Sequence, residues 1–273
     1  MTTTLAVANQ KGGVAKTTSA ITFGHGLAIS GRRVLLVDLD PQGNTADALG
    51  LPKESRLYEF LVNGAGKKVI TSSQYPNLDV IVGDKNTDRA IRWLSSLDLG
   101  RERELRKRLQ EIRDLYDVII LDVAPSVGLM QYNALVASDI LVVPTTLTRL
   151  SLVGLYAVLE SAKSLRAHKI PCARLAGVMP TMWSRTTVET RKQLAILKEA
   201  FSTETRWVPI PQDVKVEEAA AHGASIYAYA PRCRALDGTK VIIKDKEGKE
   251  IGKHLVGGYR RAVARLIQEL EPS

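Results

Sequence analysis

The sequence predicts an α/β fold: a doubly wound, mostly parallel sheet flanked by helices. Three observations lead there. Short runs rich in Val, Ile and Leu recur without polar alternation, the pattern of strands buried on both faces. Stretches of helical length separate them. The first run leads directly into a glycine-rich turn and then a helix. The strands read as Leu5–Asn9, Val34–Asp38, Leu78–Val82, Val118–Asp122, Ile140–Pro144, Leu175–Pro180 and Trp207–Ile210. The helices read as Lys16–Ser30, Arg101–Leu115, Gly128–Ala137, Ser151–His168, Thr187–Phe201 and Gly258–Glu271. One segment breaks the alternation. Val241-Ile242-Ile243 and Ile251 flank Glu247-Gly248, which predicts a β-hairpin inserted over residues 237–254. No internal repeat or low-complexity linker divides the chain, so residues 1–273 are expected to form one domain.

Composition bounds the function. The chain has 273 residues, 45% hydrophobic and 25% charged, which excludes a largely disordered chain. Cys172 and Cys233 stand far apart with no CxxC, which argues against a cysteine-held zinc or iron–sulfur site and suggests a reducing cytosol. No apolar run is long enough to span a membrane. Met1 to Leu5 lacks the charged and apolar regions of a signal peptide. A net charge of +9 favours a polyanion, with nucleic acid, anionic membrane and nucleotide all open. Residues 232–265 alone hold ten Lys/Arg and four Asp/Glu. His25, His168, His222 and His254 lie in no metal-ligand spacing and read as structural or surface residues.

The first strand runs into Gln10-Lys11-Gly12-Gly13-Val14-Ala15-Lys16-Thr17-Thr18. Glycines let such a loop turn its N–H groups toward an anion, and the following helix adds its N-terminal dipole. Lys16 is placed to neutralise β/γ-phosphates, and the Thr17 hydroxyl to ligate Mg²⁺. The usual GxxxxGK[ST] pattern needs glycines where this chain has Gln10 and Ala15. Asp38 and Asp40 leave the second strand two residues apart, at the strand ends where ligands of such sheets sit. Val118 to Leu121 are apolar and end on Asp122, a carboxylate able to hold Mg²⁺ directly or through water.

The Lys-Gly-Gly-x-x-Lys-Thr-Thr core with its extra lysine resembles the deviant Walker A motif of the ParA/MinD family of ATPases. The resemblance implies that Lys11 reaches across a dimer interface to the partner's nucleotide. It places Ala15 where the family usually has glycine; at the helix start that alanine is expected to be tolerated. Asp38-Leu39-Asp40-Pro41-Gln42-Gly43-Asn44 is similar to the family's switch I. That likeness assigns Asp40 to polarising the attacking water and to the Mg²⁺ shell, with Asp38 in a supporting position. Asp122, Pro125, Ser126 and Gly128 match switch II, with Ala124 replacing a proline. Phosphoryl transfer then rests on Lys16, Mg²⁺ and, in the dimer, Lys11.

The stretches around Met182 and Val208–Lys215 resemble two loops near which family members pack adenine. Met182, Pro209 and Pro211 are accordingly the base-pocket candidates, apolar strand ends packed on the core being the other reading. Relatives that bind DNA nonspecifically often carry arginines where this chain has Gln212 and Lys215, and Glu217-Glu218 follow. The remaining cationic candidates are Arg185, Arg191, Lys192, Arg232, Arg234, the hairpin lysines, Arg260, Arg261 and Arg265. The resemblance implies an ATPase that dimerises with ATP and binds DNA nonspecifically. It would segregate a plasmid, chromosome or other cargo with a ParB-like or cargo-adaptor partner, in the cytoplasm on the nucleoid. Two alternatives stay open. One is a MinD-like membrane-cycling ATPase, against which the acidic tip Glu269-Leu270-Glu271 argues. The other is an ATP-dependent metabolic ligase on the same fold.

Overall fold

The computed structural model describes residues 2–184, 188–244 and 250–271. Seven strands make the main sheet: β1 (Thr3–Val7), β2 (Val34–Asp38), β3 (Thr71–Ser72), β4 (Leu78–Ile81), β5 (Val118–Asp122), β6 (Ile140–Thr146) and β7 (Arg174–Thr181). Their order is β3-β4-β2-β5-β1-β6-β7. All neighbours are parallel except the two-residue edge strand β3, which runs antiparallel to β4. Every residue of β2 and β5 is buried, as their unbroken apolar runs require.

The helices are α1 (Lys16–Ile29), α2 (Asn44–Leu49), α3 (Arg56–Leu61), α4 (Thr87–Ser96), α5 (Glu104–Gln110), α6 (Leu129–Ala137), α7 (Arg149–Ala167), α8 (Val188–Ala200), α9 (Val214–Ala221), α10 (Ile226–Tyr229), α11 (Arg234–Asp237) and α12 (Tyr259–Leu270). Two apolar cores lie on the two faces of the sheet. Residues of α3 to α7 pack with Leu35, Val37, Ile119 and Leu121; residues of α1, α9, α10 and α12 pack with Leu36, Val80, Ile120 and Val142. Alternate residues of one strand thus feed opposite cores. The apolar side of α12 (Tyr259, Ala262, Val263 and Leu266) is buried in the second core, with Ile267 and Leu270 packed against it. Among the described residues no helix is long and apolar enough to cross a membrane.

The structure departs from the sequence reading in three ways. Trp207–Ile210 is not a strand. It runs beside β7, with Trp207 N–H donating to Val178 O at 2.9 Å and Ile210 N–H to Pro180 O at 2.7 Å. Pro209 and Pro211 have no N–H to extend a ladder. Its anchor is the Trp207 indole, which lies over Gly177, where a Cβ would collide with Nε1, and donates to Ala176 O at 2.9 Å. The expected helix 101–115 is split into α5 and a 3₁₀ turn at Arg113–Leu115. Helices α2, α3, α4 and α9, absent from the sequence reading, are short elements held by tertiary burial of residues such as Leu49, Leu57, Phe60 and Leu94. The hairpin forms as β8 (Thr239–Lys244) and β9 (Glu250–Val256), which among the described residues pair only with each other. Its turn at Glu247-Gly248, like Arg185, lies outside the described residues.

Candidate functional site

Strands β1, β2 and β5 deliver the candidate groups to one edge of the sheet. Val7 and Asp122 are register partners, as are Asp38 and Asp122, so three strand ends finish level. The loop from Ala8 to Ala15 leaves β1 there and returns as α1. It is pinned from several sides. Asn9 donates to Pro144 O at 2.9 Å and accepts Lys11 N–H at 2.9 Å. Thr181, at the end of β7, donates to Val14 O at 3.1 Å. Gly154 of α7 abuts the loop: a Cβ there would collide with Asn9 Oδ1 and meet Lys11 N at 2.8 Å. Asn9, Thr181 and Gly154 hold the loop without any motif that announces them.

Ala15 adopts φ 63° and ψ 35° immediately before α1. That is the left-handed region, which costs a non-glycine residue about 1 kcal/mol. The helix start therefore does not spare Ala15 from strain. Gly13 also has positive φ, and nothing occupies the space beside Gly12 or Gly13. A cradle of bare backbone results, open to an anion.

Lys16 is buried, and its ammonium donates to Lys11 O at 3.1 Å. Burial pulls its pKa below the ordinary lysine value, while Asp122 and Asp40 pull it back up. Asp38 is fully buried and spends both oxygens on the backbone, accepting Asp40 N–H at 2.9 Å and Thr45 N–H at 3.2 Å. Burial, then the neighbouring Asp122, hold it well above the usual carboxylate range. Asp122 is raised for the same first reason, opposed by a hydrogen bond from Thr17 and by the Lys16 charge. Asp40 accepts Gln42 N–H through Oδ1 at 2.9 Å. A single buried ammonium thus faces Asp40 and Asp122 with Asp38 behind them.

Mg²⁺ fits this donor set. Asp122 Oδ1 is buried with no hydrogen-bond partner, and Oδ2 accepts the Thr45 hydroxyl at 3.4 Å. Among the described residues no group of three or more His, Cys, Asp or Glu side chains is placed to hold a metal.

Met182 and Pro211 line a small cavity of about 50 Å³ with Ala15, Asp213, Val216, Glu217 and Tyr259. Pro209 does not line it: its carbonyl accepts Gly258 N–H at 3.0 Å, against the Gly257-Gly258 turn. The cavity has room for a few waters, so a base would need the half-exposed Met182 to swing out. Asp213 and Glu217 carry no base-pocket signal in the sequence. A larger cavity, about 300 Å³, opens on the other side of Val216, beside Thr17, Thr18, Asp47 and Ser225.

Several of the candidate cationic residues are already paired within the chain. Lys215 pairs with Glu218 at 2.6 Å. Arg260 pairs with Asp237 at 2.8 Å, and Arg265 with Glu269 at 2.8 Å. Arg261 donates to Gly257 O at 3.0 Å. Arg232 and Arg234 are exposed with no side-chain partner among the described residues.

The chain matches known proteins along most of its length. A family model described as an AAA domain matches residues 2–172. The sporulation initiation inhibitor protein Soj of Bacillus subtilis is 36% identical over 237 residues, covering 85% of this chain and 93% of that protein. The chromosome-partitioning ATPase Soj of Treponema pallidum is 34% identical, over 84% of this chain and 91% of its own. Among solved structures, cobyrinic acid a,c-diamide synthase of Mycobacterium smegmatis with bound ADP and magnesium superposes with a TM-score of 0.71 at 31% identity, covering 82% of this chain and 92% of that one. The chain belongs to the AAA-domain family that includes the Soj and ParA partitioning ATPases.

Proposed function

We propose that this ATPase, one domain over residues 1–273, is a partition or positioning ATPase whose ATP-bound dimer holds nonspecific DNA. The observation that carries the reading is the bare-backbone loop with two lysines, one buried and one exposed. Lys16 is buried, held by Lys11 O and within the electrostatic reach of Asp122 and Asp40, whereas Lys11 is solvent-exposed and its ammonium has no partner among the described residues. ATP is the nucleotide, with its phosphates on Gly12 to Thr18. Asp40 orients the attacking water, and Lys16 offsets charge that builds on the β/γ oxygens. Bound Mg²⁺, on Thr17 and Asp122 with Asp40 in its shell, supplies neutralisation of the same charge. Met182 and Pro211 take the base.

Dimerisation is supported by the surface around Lys11. Helix α7 touches the loop at Gly154, and Leu150 and Val153 beside it are 67% and 60% exposed; Val127, in the switch II stretch, is 65% exposed. Large apolar side chains so exposed beside an unpartnered lysine suit a second copy of this chain. A ParB-like or adaptor protein would trigger turnover, and the setting would be the cytoplasm on the nucleoid. The ligase reading draws on the 31% identity with the diamide synthase. Light scattering with ADP or ATP separates the readings. The partition reading expects a monomer with ADP, a dimer with ATP, and a monomer in both for Lys11→Ala. A mass independent of nucleotide would leave the ligase.

A further inference from the structure

We infer that the β8–β9 ribbon and the Arg232–Arg234 segment at its base form the duplex-binding surface of this protein, an inference that rests on the DNA-bound reading above. Charge compensation separates the cations into two groups. Arg260, Arg265 and Lys215 each face a carboxylate. Arg232 and Arg234 do not, and Lys240 beside them is exposed. Two nearby acids are already engaged, while Glu217, which lines the neighbouring cavity with Pro211, is exposed. Asp237 is paired with Arg260, and Asp213 accepts backbone N–H groups of Lys215 and Ala235 at 3.1 and 3.2 Å. Among the described residues, three cations within nine residues are thus without an ion-pair partner, which favours an outside anion.

Backbone register extends the patch. It pairs Lys240 with Leu255, Ile242 with Lys253, and Lys244 with Glu250. Alternation along a strand assigns positions 240, 244 and 253 to one face of the ribbon, which positions 242 and 255 share and where Glu250 stands opposite position 244. Among the described residues the ribbon pairs with no other strand, so it makes a two-stranded sheet of its own. Arg234 lines a cavity of about 320 Å³ with Thr239, Pro211 and Gln212 at the foot of that arm. A row of lysine positions leading to two uncompensated arginines matches the repeating charge of a phosphate backbone better than a compact anion. The patch also reaches Pro211, next to the proposed base pocket, so it borders the site whose occupancy would gate it.

The test is fluorescence anisotropy on a random-sequence 30-base-pair duplex with ATP and Mg²⁺, across a salt series. Two variants are compared with wild type: Arg232→Ala/Arg234→Ala/Lys240→Ala, and Lys240→Glu/Lys244→Glu/Lys253→Glu. Both are expected to bind at least about tenfold more weakly while keeping ATP hydrolysis and melting temperature. For the alanine variant, the slope of log affinity against log salt is expected to become shallower by about 0.9 for each phosphate that is no longer neutralised. Variants that bind as tightly as wild type, with the same slope, would overturn the inference and leave the DNA-bound reading standing. A wild type that dimerises with ATP yet binds no duplex would overturn both.

Discussion

Asp38 and Asp122 are register partners on the adjacent parallel strands β2 and β5, both buried and both raised in pKa by that burial. Two carboxylates level with each other in a dry sheet edge are costly unless cations or N–H groups answer them. Backbone N–H groups answer Asp38, and Lys16 and Thr17 answer Asp122. Asp122 Oδ1 stays without a partner, which leaves a position for a hard cation. The acidic edge and the basic loop thus act as one device: each offsets the other's charge, and together they select a ligand carrying both phosphate and metal.

Removing Lys16 leaves Asp40 and Asp122 facing each other without their ammonium. Lys16→Ala is expected to reduce ATP hydrolysis by at least about a hundredfold, because charge on the transferred phosphoryl group is then unmatched. A coupled phosphate-release assay at saturating ATP measures it. Hydrolysis within about threefold of wild type would remove Lys16 from the machinery.

Ala15→Gly relieves a left-handed backbone. Folding stability is expected to rise by about 1 kcal/mol, and the melting temperature by about 2–4 °C for a chain of this size. Thermal melts without nucleotide report this directly. A fall on substitution would mean that the alanine methyl has packing worth more than the strain.

Gly154→Val drives a side chain into Asn9 and Lys11. Overpacking of this kind costs about 1–3 kcal/mol. The loop is expected to shift, weakening ATP affinity by about tenfold or more, while Gly31→Ala, at the far end of α1 and strained only by its own φ of +87°, leaves affinity unchanged. Equilibrium binding of a fluorescent ATP analogue compares the two.

His25 is buried against Ser225 and stacked on Tyr75 at 4.0 Å between ring centroids. Burial lowers its pKa from the ordinary histidine value of 6.5. The neutral ring is thus favoured in the folded state, and the unfolded chain binds the proton more readily. Stability from this site is complete above about 6.5 and is lost as pH falls toward the depressed folded value. Acidification from pH 7.5 to 5 is expected to lower the melting temperature of wild type more than that of His25→Asn. Equal losses would show that His25 does not carry the effect.

The sequence displays the parts of this site that carry local patterns. β1, β2, β5 and β6 are apolar runs, and the loop, Asp38, Asp40 and Asp122 follow at their ends. Those features are readable because a fully buried parallel strand has no polar alternation, and a phosphate-facing turn needs residues without side chains. What is not readable depends on distant partners. Gly154 is far along the chain from Lys11, and only the packing of α7 shows that it must lack a Cβ. Trp207–Ile210 has the composition of a strand, and its prolines prevent the ladder. The charge of Lys215, Arg260 and Arg265 is plain in the sequence, but its cancellation by Glu218, Asp237 and Glu269 is a tertiary fact.

Whether ATP assembles a DNA-holding dimer through Lys11 decides the functional reading. Gel-shift binding to a nonspecific duplex answers it, with no nucleotide, with ADP and with ATP–Mg²⁺, for wild type and Lys11→Ala. Wild type is expected to retain the duplex with ATP–Mg²⁺ alone, and Lys11→Ala in no state. Retention that ignores the nucleotide, or that survives in Lys11→Ala, would contradict the dimer.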